Sequence, residues 1–287
     1  MKIVLSRKGF DSAAGGVPNP IMPDGTLVRL PIPRREDRKC FRDVRFRRKS
    51  IGKLVKDLTG GRLSGRECVH LDPDIRRGAL PRARGWRPLF GQRGAALAHL
   101  RKQGVGIGDV FLFFGWFREA ELAGGAYRYT GDAAGMHVIF GWLQPGRIME
   151  PGDKSTAPRW AQYHPHFDYG GDGGLIFAAA QRLSLPGLDA DIPGGGMFKR
   201  FDPMMRLTAP GSARRSHWLL PRWMKPAPGQ PPLTYHHRPE RWRECDDGVI
   251  LESVGRGQEF VLHAEHYPES GRWLARFFTK LAVRGCI

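Results

Sequence analysis

No stretch of the sequence approaches the roughly 18 consecutive apolar residues that a membrane-spanning helix needs, so no membrane partner is expected. Cysteine is scarce. Cys40, Cys68, Cys245 and Cys286 stand far apart, and no CxxC pair occurs. That spacing speaks against a zinc ribbon and gives no disulfide framework, so a reducing cytoplasm is the expected compartment. Heptads and internal repeats are missing, and so is the GxxxxGK[ST] order of a Walker loop. The start, residues 1–8, has too short an apolar run for a signal peptide and is expected to form a strand and turn. What is present is a chain of 287 residues, 41% apolar and 26% charged, which fits a globular protein with a core and excludes a wholly disordered one.

Acidic residues are also few. Asp plus Glu number 28 against 46 Lys plus Arg, a net charge of +18. Arginine accounts for 35 of the 46. Its planar fork suits phosphate oxygens, so the balance favours a polyanionic partner, a nucleotide or nucleic acid. The densest run, residues 34–49, holds nine basic and three acidic residues, with Phe41 and Phe46 between them. Arg45, Arg47 and Arg48 are its candidate phosphate contacts. A nucleic-acid footprint and a merely solvated face both fit this run.

With 38 Gly and 23 Pro, many turns and short elements are expected, and a helix bundle is not. Strands are expected at 2–5, 67–72, 109–115, 136–143, 175–180 and 258–263, and a Gly/Pro-rich loop at 6–26. Helices are expected at 92–103 and after Pro268, the latter with Trp273, Leu274, Phe277, Phe278 and Leu281 on its apolar face. A Pro-rich connection at 221–232 offers a boundary, but the strand and helix beyond it are expected to complete the same core. The fold class expected is therefore α+β, one domain over 1–287, with a mixed sheet, few helices and long Gly/Pro-rich loops.

Five short motifs carry candidate chemistry. Residues 6–16 leave a strand and run through glycines; Arg7 and Lys8 could hold a phosphate there, and Asp11 is a candidate catalytic carboxylate or a tight-turn residue. In 68–74, an extended chain turns Cys68, His70 and Asp72 to one face, with Asp74 just past a proline. These residues suit a metal or an acid/base pair, or a simple Asp-Pro turn. In 163–168, His164, His166 and Asp168 share a face if extended, and two imidazoles with a carboxylate are the ligand set of many divalent sites. His236, beside His237, is a further candidate ligand. Glu259, at the mouth of a buried strand, is a candidate acid/base, or the ion-pair partner of Arg256. His137 is expected to be a satisfied core histidine, and Met204 and Met205 to pack. Trp116 offers a weak base-stacking candidate at the exit of its strand.

Ser6-Arg7-Lys8-Gly9-Phe10-Asp11-Ser12, His70-Leu71-Asp72-Pro73-Asp74, Phe113-Phe114-Gly115-Trp116-Phe117, His137-Val138-Ile139-Phe140-Gly141, His164-Pro165-His166 and Gly257-Gln258-Glu259-Phe260-Val261 together resemble the nucleotide-modification-associated domain family, third type. The resemblance runs from Met1 to the terminal helix, and the opening motif is its most specific part. It implies an α+β domain of bacteria and phages that makes hypermodified nucleobases. The reading these residues favour is a metal-dependent enzyme on a nucleotide, nucleic acid or similar phosphorylated substrate. Lys8 would contact an anionic group. His164, His166 and one or more of His70, Asp72, Asp74, His236 and Glu259 would bind iron or manganese, with zinc also fitting. The alternatives are a metal-free transferase or glycosidase-like enzyme using Asp11 or Glu259, and a nucleic-acid-binding accessory subunit.

Overall fold

The computed structural model describes residues 1–130, 134–152, 154–169, 173–255 and 257–287. Among these, the largest sheet has seven strands and is mixed. Its spine runs Gly195–Met197, Met136–Leu143, Val110–Ala123, Lys2–Arg7, Glu259–His263. Lys2–Arg7 runs parallel to the first half of Val110–Ala123 and antiparallel to Glu259–His263, with Ser6 opposite Glu259. Asn19–Ile21 then rejoins the same long strand, parallel to Phe117–Glu119. The expected strand at 109–115 is thus the first half of a longer one, whose far end folds back in a hairpin with Ala126–Tyr129.

The apolar run Val110–Phe114 arises because this sheet is covered on both faces. Strands buried on both sides lose the polar/apolar alternation of half-exposed ones. Phe111 and Phe113 pack against Phe90 and Phe177 of a three-stranded sheet, Pro145–Met149, Leu175–Ala179 and Leu89–Gln92. Phe114 packs on Trp218 and Phe260, toward a second three-stranded sheet of His217–Leu220, Gly248–Glu252 and Trp242–Cys245. The terminal helix, Glu269–Val283, buries Leu274, Phe277, Phe278 and Leu281 at helical spacing, with Phe278 edge-on to Trp142.

The strand Glu259–His263, beyond the Pro-rich connection, pairs with the first strand of the chain. The expected helix at 92–103 is Gly94–Lys102. A further helix, Gly52–Leu58, was not expected, although Leu54, Val55 and Leu58 carry the spacing for it. His137 is buried and accepts the Trp218 indole N–H at 2.9 Å, as a satisfied core histidine should. Met205 is buried. Trp116 donates to the Ala134 carbonyl at 2.7 Å and lies beneath the Arg215 guanidinium.

Two expectations are corrected. The strand at 67–72 is only Val69–His70, because the Asp72 N–H turns back onto the His70 carbonyl at 2.9 Å and Asp74 bridges to Leu89 instead. Residues 164–168 are not extended: Pro165–Phe167 is a single 3-10 turn, opened by the fixed φ of Pro165.

The loop after Arg7 shows what its glycines do. Phe10 is fully buried, and a Cβ on Gly15 would meet its ring at 2.3 Å. Gly15 also has φ +87°, open to glycine at little cost. Asn19 ties the loop to the sheet, donating to the Trp116 and Phe10 carbonyls and accepting from Leu30 N–H. The result holds Lys8 and Asp11 beside the ends of two strands.

Candidate metal centre

Three segments far apart in sequence meet at the carboxyl ends of Lys2–Arg7 and Leu89–Gln92. Val69–His70 delivers His70 and, past its end, Asp72. The 3-10 turn delivers His164 and His166. Leu89–Gln92 supplies Gly91 and Gln92. One nitrogen each from His70 and His166 and one oxygen of Asp72 lie within 4.8 Å of one another, and all three residues are buried. His70 Nε2 and His166 Nε2 each stand 3.7 Å from Asp72 Oδ2. His164 Nε2 stands 3.3 Å from the other oxygen, Oδ1.

This carboxylate is oriented from behind. The Gly91 N–H donates to Asp72 Oδ1 at 2.7 Å, which leaves Oδ2 facing the two imidazoles. Gly91 must be glycine for the same reason: a Cβ there would meet the His166 ring at 2.4 Å. His70 is oriented likewise. Its Nδ1 lies 2.7 Å from Asp37 Oδ2, and the Tyr169 hydroxyl donates to Asp37 Oδ1. A carboxylate on the far nitrogen fixes the tautomer and aims the near one, the usual support of a metal-bound histidine.

The electrostatics follow from burial and these contacts. Burial opposes charge on Asp72, yet the His164 and His70 rings hold its carboxyl well below the ordinary range. Burial also opposes charge on His70, but Asp37 and Asp72 on its two sides raise it. His166, with no second carboxylate, is pushed down by burial to about 3. The two rings share one carboxylate and end on opposite sides of the ordinary value, because His70 alone has Asp37 as well. Behind them Arg29 is buried; burial lowers it to about 10 while Asp72 and Asp74 favour its charge. A divalent ion requires neutral imidazole nitrogen and ionised carboxylate, which His166 and Asp72 already favour, whereas His70 would give up its proton on binding. Further, neither ring nitrogen of the fully buried His164 has a well-directed hydrogen bond among the described residues, although Nε2 is close enough to Asp72 Oδ1 to stabilise its charge. A cation bonded at about 2.1 Å sets neighbouring donors about 3–3.5 Å apart, so the donor set fits a divalent transition metal after small side-chain movements.

The other expected site residues divide. Lys8 Nζ and Gln92 Nε2 both donate to Glu259 Oε1, each at 2.7 Å, while Glu259 Oε2 is buried with no hydrogen-bond partner among the described residues. Arg256 lies outside the described residues, and Glu259 has Lys8 as its ion-pair partner. Asp11 caps its own turn, accepting from the Ala13 and Ala14 N–H groups at 2.8 and 2.7 Å. Arg7 is a staple: it donates to the Gly255 and Val254 carbonyls and sits 5.8 Å from both the Phe114 and Phe260 rings. Arg7, Lys8, Asp11, His70, Asp72 and His166 all line one cavity of about 420 Å³.

The remaining candidates are engaged elsewhere. Asp74 is clamped by both terminal nitrogens of Arg82 at 2.6 Å and by the Tyr163 hydroxyl. Asp168 pairs with Lys154 at 2.9 Å. His236 is packed on Phe260; its Nε2 accepts the Val254 N–H and its Nδ1 meets the Thr234 carbonyl. Cys68 lies beside Cys40, the sulfurs 3.5 Å apart as free thiols. Arg45, Arg47 and Arg48 form a hairpin outside the cavity lining, where Arg47 pairs with Asp24. Asp37, Tyr169, Gly91 and Gln92 were not foreseen; Asp37 stood out only as an acid inside the basic run.

A family model matches residues 2–263. The chain belongs to the nucleotide modification associated domain 3 family. No curated protein and no solved structure matches it. In this nucleotide modification associated domain the matched region ends at His263, so it includes the whole centre but not the terminal helix. The family description implies nucleotide modification, and hence a nucleotide or nucleic-acid substrate. Among the described residues no helix is long and apolar enough to cross a membrane.

Proposed function

We propose that this chain is a cytoplasmic, metal-dependent enzyme that modifies a nucleotide or a nucleic-acid base. The observation that carries the reading is the convergence of His70, Asp72 and His166 on the wall of a basic cavity, with Asp37 supporting one ligand and Gly91 another. Two histidines and one carboxylate favour iron or manganese, with zinc also accommodated. When bound, such an ion supplies Lewis acidity and, for iron or manganese, one-electron chemistry.

The chain's own residues do the rest. Asp37 keeps the His70 ring turned so that Nε2 faces Asp72. Gly91 keeps Oδ2 of Asp72 forward. Lys8 and Gln92 hold Glu259 by one oxygen, so its second oxygen remains a proton acceptor at a fixed place. Burial excludes bulk water from all three ligands, which strengthens each interaction with a bound charge. A base within a duplex would have to leave its stack to reach them.

A second reading, a metal-free transferase with Glu259 as catalytic carboxylate, is favoured by that same unpartnered oxygen. Two measurements separate them. Calorimetric titration of chelator-treated protein with anaerobic Fe²⁺, Mn²⁺ and Zn²⁺ should give one site that Asp72→Asn abolishes. Mass spectrometry of nucleosides, after incubating loaded protein with DNA or nucleotides, should show a new base mass that chelation prevents. Product formed equally by chelated protein would favour the second reading.

A further inference from the structure

At the rim of the cavity two arginines lie over one aromatic ring. The Arg34 guanidinium is 4.1 Å from the Tyr169 ring centroid and that of Arg93 is 5.4 Å away. Both arginines line the same cavity as His70, Asp72 and His166. They come from unrelated segments. Arg34 follows the short strand Ile32–Pro33, which pairs with Val69–His70; Arg93 follows Gln92 and directly precedes the helix Gly94–Lys102.

Their charges are poorly spent. Among the described residues the one ion pair of Arg34 is with Glu36, at 3.4 Å, and that glutamate is 70% exposed; the Arg34 charge also reaches Asp37 without an ion pair. Arg93 has neither an ion pair nor a side-chain hydrogen bond among the described residues. The other two cations on the cavity wall are consumed, Arg7 by carbonyls and Lys8 by Glu259. Stacking on Tyr169 restrains both planar forks at little cost to their donors, which matches how arginine is used for phosphate. Tyr169 also bonds Asp37 through its hydroxyl, which fixes the ring under the two forks.

We infer that Arg34 and Arg93, arrayed on Tyr169, form the subsite that grips a phosphate group of the substrate at the mouth of the cavity. The inference rests on the nucleotide-modifying reading above and names the group by which that substrate is held. The phosphate has two possible sources, a free nucleotide or a phosphodiester of a strand.

The test is equilibrium binding at low salt. The probes are the four nucleoside 5′-monophosphates, the matching nucleosides, and a short single strand with blocked ends. Arg34→Gln and Arg93→Gln should each weaken the phosphate-bearing probes about tenfold or more, the scale of one charge-assisted contact. Nucleoside binding, melting temperature and metal content should stay as in wild type. Competition by monophosphates identifies a free nucleotide, and binding of the strand alone identifies a phosphodiester; either supports the subsite. No phosphate-dependent binding by wild type, or unchanged binding in both variants, overturns it. Metal content is read separately. A metal-free protein whose phosphate binding still needs Arg34 and Arg93 would sink the metal reading and leave the subsite standing.

Discussion

Replacing Gly91 by alanine disturbs the candidate centre without removing any ligand. The backbone at Gly91 is not in the left-handed region, so alanine is conformationally acceptable there. Its Cβ, however, would lie 2.4 Å from the His166 ring, and ordinary contact begins near 3.4 Å. The ring must therefore retreat by about 1 Å, or the strand must move and break the Gly91 N–H bond to Asp72. Metal–ligand bonds tolerate shifts of about 0.2 Å. Either escape should thus cost at least the ~10–100-fold in affinity typical of lost ligand support. Overpacking should add ~1–3 kcal/mol of destabilisation. The assay is competition with a chromophoric chelator, alongside thermal melts with and without metal. In a His166→Ala background the clash is gone, so the same Gly91→Ala change should be nearly silent, a non-additivity of ~1–3 kcal/mol in stability. Wild-type affinity in Gly91→Ala, or full additivity with His166→Ala, would refute the packing argument.

Other outcomes follow from the same contacts. Asp37→Asn keeps the shape but weakens the hold on His70, so metal affinity should fall ~10–100-fold while the melting temperature of chelated protein changes little. His236→Ala should leave metal stoichiometry intact and lower stability by ~1–3 kcal/mol, because the half-buried Val254 N–H loses its acceptor and a fully buried ring is removed; calorimetry and urea unfolding report the two effects. Acid should destabilise the fold in a defined window. Burial holds His137 at about 3 and His236 at about 4, against 6.5 when unfolded. Below pH 6.5 the unfolded chain then binds protons the native chain refuses, so stability falls as pH falls, by up to ~1.4 kcal/mol per pH unit for each histidine. Urea midpoints at pH 7 and pH 5 check this, and equal midpoints would count against it.

The sequence was most informative where one element alone decides the pattern. The run Val110–Phe114 and the spacing of Leu274, Phe277, Phe278 and Leu281 speak for a doubly covered strand and an amphipathic helix whatever surrounds them. The ligand types were also legible, since His164-Pro165-His166 and His70-Leu71-Asp72 gather imidazole and carboxylate within a few residues. What tertiary pairing decides was not legible. Asp37 meets His70 only because Ile32–Pro33 pairs with Val69–His70 and the chain then turns back. Gly91 matters only because the fold sets it against the His166 ring and the Asp72 carboxylate. Asp74 and His236 resembled ligands by type, but their partners Arg82, Tyr163, Thr234 and Val254 come from the folded context. Residues 164–168 bring both histidines to Asp72 by a turn rather than by the extended alternation that first linked them.

The central claim is that His70, Asp72 and His166 hold a divalent metal. Elemental analysis of protein purified without chelator, for wild type and for His70→Ala/His166→Ala, tests it most directly. Wild type should carry close to one transition-metal ion per chain and the variant none, with both proteins folded. A wild-type protein that is metal-free as purified, and still metal-free after anaerobic reconstitution with iron, manganese and zinc, would contradict it.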